Sequence, residues 1–212
     1  LESAILTKYL ALILLLANLI APQAPALAQT DSHPTKIQIN HRLPDAIGNN
    51  LTIKDVKVFG TGEGTKWKLL SEGKARTYLI VFGKNDDIIA GLYRFLDATK
   101  VQSGHFTALG AVGCAALGFF RPQEHTYKIA RIEKQAEVSS LVGNIGIKNG
   151  KPVVHAHGVF SVEDGSCTAG HVFYASAWPT VEMTVTECEN APIRRHDDES
   201  ELWLFDTAAN SK

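Results

Sequence analysis

The stretch Lys151–Val172, KPVVHAHGVFSVEDGSCTAGHV, constrains the fold most tightly, because its spacing sets three histidines within reach of one another. Val153–Val162 is rich in β-branched and aromatic residues and predicts a strand. Side chains alternate faces along a strand, so His155 and His157 point one way while Val154, Ala156 and Phe160 point the other. Glu163-Asp164-Gly165 supplies the turn, with Gly165 suited to the left-handed position of a three-residue hairpin loop. In that register Val162 faces Ser166, His157 lies opposite His171, and His155 is the diagonal neighbour. A two-residue Asp164-Gly165 turn would instead place Gly158 opposite His171 and send His171 to the other face. The expected arrangement is the three-residue loop, or a bulge at Ala169-Gly170 that restores the same side.

Three imidazoles converging from one hairpin suit zinc or a similar borderline metal, with a fourth position left for water or a partner group. An HxH pair alone is also a common accident of polar-face composition. The third histidine at a hairpin-compatible spacing is what carries the metal expectation.

The leader bears on where such a site would work. Leu10–Ile20 is apolar, follows Lys8, and precedes APQAPALAQ, in which Ala26-Leu27-Ala28 fits a small-residue cleavage site. The apolar run is about eleven residues, short of the roughly twenty that span a bilayer. Residues 1–28 therefore predict a signal peptide and an exported protein, periplasmic or secreted, with no stable membrane span after cleavage; an uncleaved anchor is the alternative. The formal net charge is −1. That near-neutral balance, without a basic stripe, disfavours nucleic acid as a partner. Cys114, Cys167 and Cys188 have no CxxC spacing, and an oxidising compartment would close at most one pair. Cys167 is a conceivable soft ligand, but its place beside the turn favours a surface or disulfide role.

Residues 29–60 read as an irregular lead-in, with an early strand at 51–59 and His33 and His41 exposed. Ala75–Phe82 predicts a strand. Asn85 or Asp86 is positioned to cap a helix over Asp87–Thr99, whose Ile88, Ile89, Leu92, Phe95 and Leu96 repeat at helical spacing. Phe106–Phe120, Glu124–Ile132, Glu137–Ile147 and Val181–Glu187 add strands, and Asn149-Gly150 predicts the hairpin turn before the histidine strand. Residues 191–212 form a charged C-terminal extension ending in a short apolar piece, Leu202–Phe205. The sum predicts an α+β fold, a mainly antiparallel sheet sandwich with one principal helix.

Two blocks carry a family resemblance. Tyr78–Val81, the helix to Phe95 and GHFTALGAVGCAALGFF resemble the first half of the plant and prokaryote conserved (PPC) domain. EVSSLVGNIGIKNGKPVVHAHGVFSVEDGSCTAGHVFYASAWPTVEMTVTE resembles its second half, so the likeness spans about residues 61–190. The resemblance implies a mainly antiparallel α+β fold assembled as a homotrimer. In prokaryotic members of this zinc-binding type, it implies zinc on the histidines that correspond to His155, His157 and His171. Plant members add AT-hooks that bind DNA, and this chain has no such segment. Ala169 departs from the second glycine often found before the GH pair. The fold group also resembles acetolactate decarboxylase, a likeness of architecture that transfers no substrate.

A three-histidine site with an open position has the composition of a catalytic zinc centre. Glu182 is the candidate acid or base, with a sheet-surface carboxylate or a partner to a ligand histidine as its alternatives. Arg121 is a candidate grip for a small anionic ligand, or a surface charge. A purely structural metal would need a fourth ligand from His105 or a neighbouring subunit. No GxSxG, P-loop or dinucleotide fingerprint is present. Three functions follow in order: a zinc- or small-ligand-binding module, a zinc-dependent hydrolase or lyase, and a DNA-binding protein.

Overall fold

The structure is a computed structural model that describes residues 39–208. The expected signal peptide, its expected cleavage site and His33 lie outside the described residues. No helix among the described residues is long and apolar enough to cross a membrane.

Among the described residues the fold comprises ten strands and one α-helix. In chain order they are β1 (Asn50–Thr52), β2 (Lys66–Ser71), β3 (Thr77–Phe82), α1 (Ile88–Thr99), β4 (Gly104–Arg121), β5 (Thr126–Ile132) and β6 (Ala136–Lys148). There follow β7 (Lys151–Ser161), β8 (Cys167–Glu187), β9 (Arg194–His196) and β10 (Trp203–Phe205). Eight strands form one antiparallel sheet in the order β1-β5-β4-β6-β7-β8-β3-β2, and a further β4–β8 pairing closes a circuit through β4, β6, β7 and β8. The mainly antiparallel sheet with one principal helix is as expected. Its layering takes the form of one continuous network rather than two separately paired large sheets.

Helix α1 forms because its apolar residues recur on one face, and that face is buried: Ile88, Leu92 and Phe95 are fully enclosed. Burial of side chains of this size stabilises by about 1.5–3 kcal/mol each. The helix cap is a correction to the sequence reading. Asn85 has φ 67°, and Asp86 accepts from Gly64 N, Gly83 N and Thr65 Oγ1, so neither serves the helix. Asp87 caps it instead, accepting from Ile89 N and Ala90 N at 3.2 and 3.3 Å and from Ala175 N of β8 at 3.3 Å. One carboxylate thus caps α1 and ties it to the strand that carries His171.

Other boundaries moved for identifiable reasons. The early strand shrinks to β1 followed by a short 3-10 turn at Ile53–Asp55, closed by Thr52 and Asp55. Strand β2 lacks clean alternation because it is an edge strand, exposed along most of its length, and it was not anticipated. Strand β8 runs through Ala177-Trp178-Pro179, so the strand expected at Val181–Glu187 is its C-terminal part. Its register against β4 jumps from Ala177↔Val112 to Val181↔Gly110, so the Pro179 region bulges and pairing resumes beyond it. The lead-in is also more than irregular: Leu43, Ile47 and Leu51 are buried with Cys114, Ile129 and Phe173 in a second apolar cluster. His41 is exposed as expected, yet its Nδ1 lies 2.7 Å from the Gly113 carbonyl. The three cysteines are free, Cys114 buried and the other two exposed.

Candidate metal centre

The site is built by the β7–β8 hairpin. Val162 N donates to Ser166 O at 3.0 Å, Gly165 N to Val162 O at 2.8 Å, and Gly165 has φ 80°. The loop is therefore the three-residue form, with Gly165 in the left-handed conformation that a side chain would strain. The register that follows pairs His157 with His171. On the other side of β7, β6 places Asn144 opposite His155 and Val142 opposite His157.

His155, His157 and His171 each offer a ring nitrogen, and the three lie within 4.8 Å of one another. Ring centroids are 5.0 Å apart for His155–His157, 5.1 Å for His155–His171 and 5.6 Å for His157–His171. His155 and His171 are half-buried and His157 is exposed, so one flank of the cluster is open. Behind His171, Phe173 and Tyr127 pack at 4.7 and 5.5 Å between ring centroids. Gly118, across from His171 on β4, makes room for them, since a Cβ there would stand 2.3 Å from the Phe173 ring and 3.0 Å from Tyr127.

Burial is the main reason the two inner imidazoles resist protonation. It holds His155 down at about 4, aided by the neighbouring His157 and Arg194 charges. It holds His171 down at about 3, with His155, His157 and Arg194 adding to the effect. Near neutral pH both rings are thus unprotonated, the form that ligates a metal. An ion holding three imidazole nitrogens at about 2.0–2.1 Å sets them on the order of 3.4 Å apart, so small ring rotations would complete the set.

A cavity of about 350 Å³ adjoins the triad, with His155 and His171 in its wall. Its remaining wall is mostly apolar, with Lys57, Lys148 and Arg194 as its charged members and no Asp or Glu among its described lining residues. Glu182 is not there. It is exposed on β8, opposite Leu109 of β4 and Val81 of β3, roughly 30 Å of strand path beyond His171. Arg121 is also elsewhere, paired with Glu124 at 2.9 Å. His105 is exposed on β4 opposite Asn144, outside the triad, and Cys167 is exposed beside the turn, its Sγ nearest Gly165 O.

Arg194 was missed by sequence reasoning. It is 8 % exposed, donates to Trp203 O at 3.1 Å and to Asn144 Oδ1, and lies over the Phe205 ring at 3.9 Å. A lone arginine in a mixed charge cluster has no spacing to mark it.

The Plants and Prokaryotes Conserved (PCC) domain matches residues 70–189, more than half of the chain. The chain belongs to this family. A search of curated proteins gives no match. Among solved structures, the PCC fold here is similar to a protein from Bacteroides thetaiotaomicron provisionally named for DNA binding. Identity is 26%, covering 68% of this chain and 97% of that one, with a TM-score of 0.63. A metal-containing protein from Archaeoglobus fulgidus is 26% identical over 66% of this chain and 96% of its own, with a TM-score of 0.58. A plant- and prokaryote-conserved protein from Pyrococcus horikoshii shares the fold at 23% identity and a TM-score of 0.60, over 68% of this chain and 96% of its own. The histidine hairpin and α1 fall inside the matched PCC segment, while Arg194 and the Lys57 region fall outside it.

Proposed function

We propose that this PCC-domain protein binds zinc through His155, His157 and His171 and accepts a small ligand in the adjoining cavity. The observation that carries the reading is the convergence of three imidazole nitrogens within 4.8 Å, two of them on half-buried rings that favour the neutral form. The name of the Archaeoglobus fulgidus protein, which contains metal, agrees with it. Bound there, zinc would supply Lewis acidity at the mouth of the cavity. His155 and His157 would hold it from β7 and His171 from β8, with Asn144 flanking His155 on the neighbouring strand. The test is metal content of the purified protein beside the His155→Ala, His157→Ala double variant. About one zinc per chain in the wild type and none in the variant is the expected result; no metal in either removes the reading.

A zinc-dependent hydrolase or lyase is the second reading, favoured by a cavity that opens on two of the histidines. Proton transfer would have to use a group other than Glu182, because no carboxylate side chain is among the described cavity walls. Tyr93 and Tyr127 are the hydroxyl-bearing residues that line it. DNA binding rests on the name of the Bacteroides thetaiotaomicron relative. It predicts duplex affinity that falls steeply with salt, and the formal charge of −1 argues against it.

Export and trimeric assembly complete the proposal. A mature N-terminus near Gln29, read by mass spectrometry after expression with the leader, tests the first. A trimer mass in solution tests the second, and a monomer overturns it.

A further inference from the structure

We infer that Arg194 makes the histidine cavity a receptor for a small carboxylate with an apolar body. This deepens the small-ligand reading above by naming the ligand class. Arg194 carries an uncompensated charge. Arg194 is more than nine-tenths buried, yet no carboxylate pairs with it among the described residues, and its Nε–H is buried without a partner. A guanidinium removed from water without a counter-ion is costly, and it is the side chain best shaped to bind a carboxylate in a fork. Its two other bonds, to the Trp203 carbonyl and the Asn144 amide, fix its plane and leave its charge unneutralised.

The surroundings point the same way. Lys57 and Lys148 also line the cavity, so every charged side chain among its described walls, histidines aside, is cationic. Lys148 Nζ sits 4.6 Å from the Trp203 ring centroid, which keeps a second positive charge at the wall. The body of the cavity is apolar, with Val56, Ile89, Val154, Phe173 and Leu204 among its lining. An anion with a hydrophobic body would satisfy both surfaces. Its volume of about 350 Å³ suits a small molecule rather than a polymer. A cation at the triad would add to the positive field and strengthen the same preference.

The test uses the full chain, with benzoate as the probe and benzamide as its neutral twin, followed by titration calorimetry. Benzoate is expected to bind saturably, and benzamide at least tenfold more weakly. Arg194→Gln should weaken benzoate roughly ten- to hundredfold, with Arg194→Lys between the two. Because Arg194 also holds the β9–β10 hairpin, Asn144→Asp serves as an independent variant. It supplies an internal carboxylate to the same guanidinium and should abolish benzoate binding while the arginine and its contact to Trp203 remain. Wild-type affinity in Asn144→Asp, or equal affinity for benzoate and benzamide, would show Arg194 to be a structural tether and overturn the inference. Metal is measured in each sample. Zinc without benzoate binding refutes this inference alone, whereas Arg194-dependent benzoate binding without zinc refutes only the metal reading.

Discussion

Lowering the pH from 7.5 to 5.5 separates this triad from three ordinary histidines. A solvent-exposed imidazole titrating at about 6.5 is nine-tenths neutral at pH 7.5 and about one-tenth neutral at pH 5.5, so proton competition costs each such ligand about tenfold in metal affinity. Three of them would lose about a thousandfold. In this protein burial holds His155 at about 4 and His171 at about 3 in the metal-free chain, so both remain neutral across the whole interval. Those two rings should therefore contribute almost nothing to the loss, which should fall well short of a thousandfold. Zinc titrations against a competing chelator, corrected for the chelator's own protonation, would measure it. A thousandfold loss would refute the claim that the inner imidazoles are desolvated. Stability of the metal-free protein carries a related signature. Unfolded histidines take up protons below about 6.5 and the buried pair does not, so their contribution is full above 6.5 and is lost as pH falls toward 4 and 3. Asp87, which burial pushes up to about 7, acts in the opposite direction between 3.8 and 7, because the folded state keeps a proton that the unfolded one releases. Comparing wild type with the His155→Gln, His171→Gln variant isolates the histidine part.

Deleting Ser166 with the three-residue loop retained should pair Val162 with Cys167, turn His171 to the opposite face and eliminate stoichiometric zinc; circular dichroism would confirm that the strands persist, and retained zinc would count against the register argument. Gly118→Ala introduces a methyl group 2.3 Å from the Phe173 ring behind His171, so chemical denaturation should show a loss of about 1–3 kcal/mol, accompanied by weaker zinc binding. Asp87→Ala strips the α1 cap and the acceptor for Ala175 N, and should cost about 1–3 kcal/mol by the same assay. Glu182→Gln, on an exposed part of β8, should leave zinc content and stability within error of wild type.

The histidine hairpin was legible because two local rules agreed there. Strand alternation fixed the faces of His155 and His157, and Glu163-Asp164-Gly165 fixed the loop length that aligned His171. The helix stripe from Ile88 to Leu96 was legible for the same reason: its period is set by its own backbone. Long-range choices left no such mark. Asp87, rather than Asp86, became the cap because Asp86 was drawn to the Gly64 amide and the Thr65 hydroxyl, which a one-dimensional reading does not place nearby. Glu182 was expected beside the hairpin because the strand Val181–Glu187 follows it in the sequence and could pair next to it. The strand instead bulges and continues, carrying Glu182 away to pair with Leu109. Arg194 lay in a mixed charge cluster, Arg194–Glu201, where nothing distinguishes a buried guanidinium from a solvated one.

That division has a functional consequence. The residues that can hold a metal come from the PCC segment, whose hairpin geometry depends on backbone register and turn chemistry. Much of the cavity wall that would choose a ligand comes from outside it: Val56 and Lys57 from the lead-in, Arg194 and Trp203 from the C-terminal hairpin. Asn144 joins the two, since it stands opposite His155 on the sheet and accepts from Arg194. A chain with the same triad but without these flanking segments would retain the donors and Lys148 and lose the guanidinium, Lys57 and part of the apolar wall. Metal binding and ligand choice are thus separable in this protein. Substitutions at Arg194 should move ligand affinity at constant zinc content, while substitutions at His157, which is outside the cavity lining, should do the reverse wherever the ligand does not touch the ion.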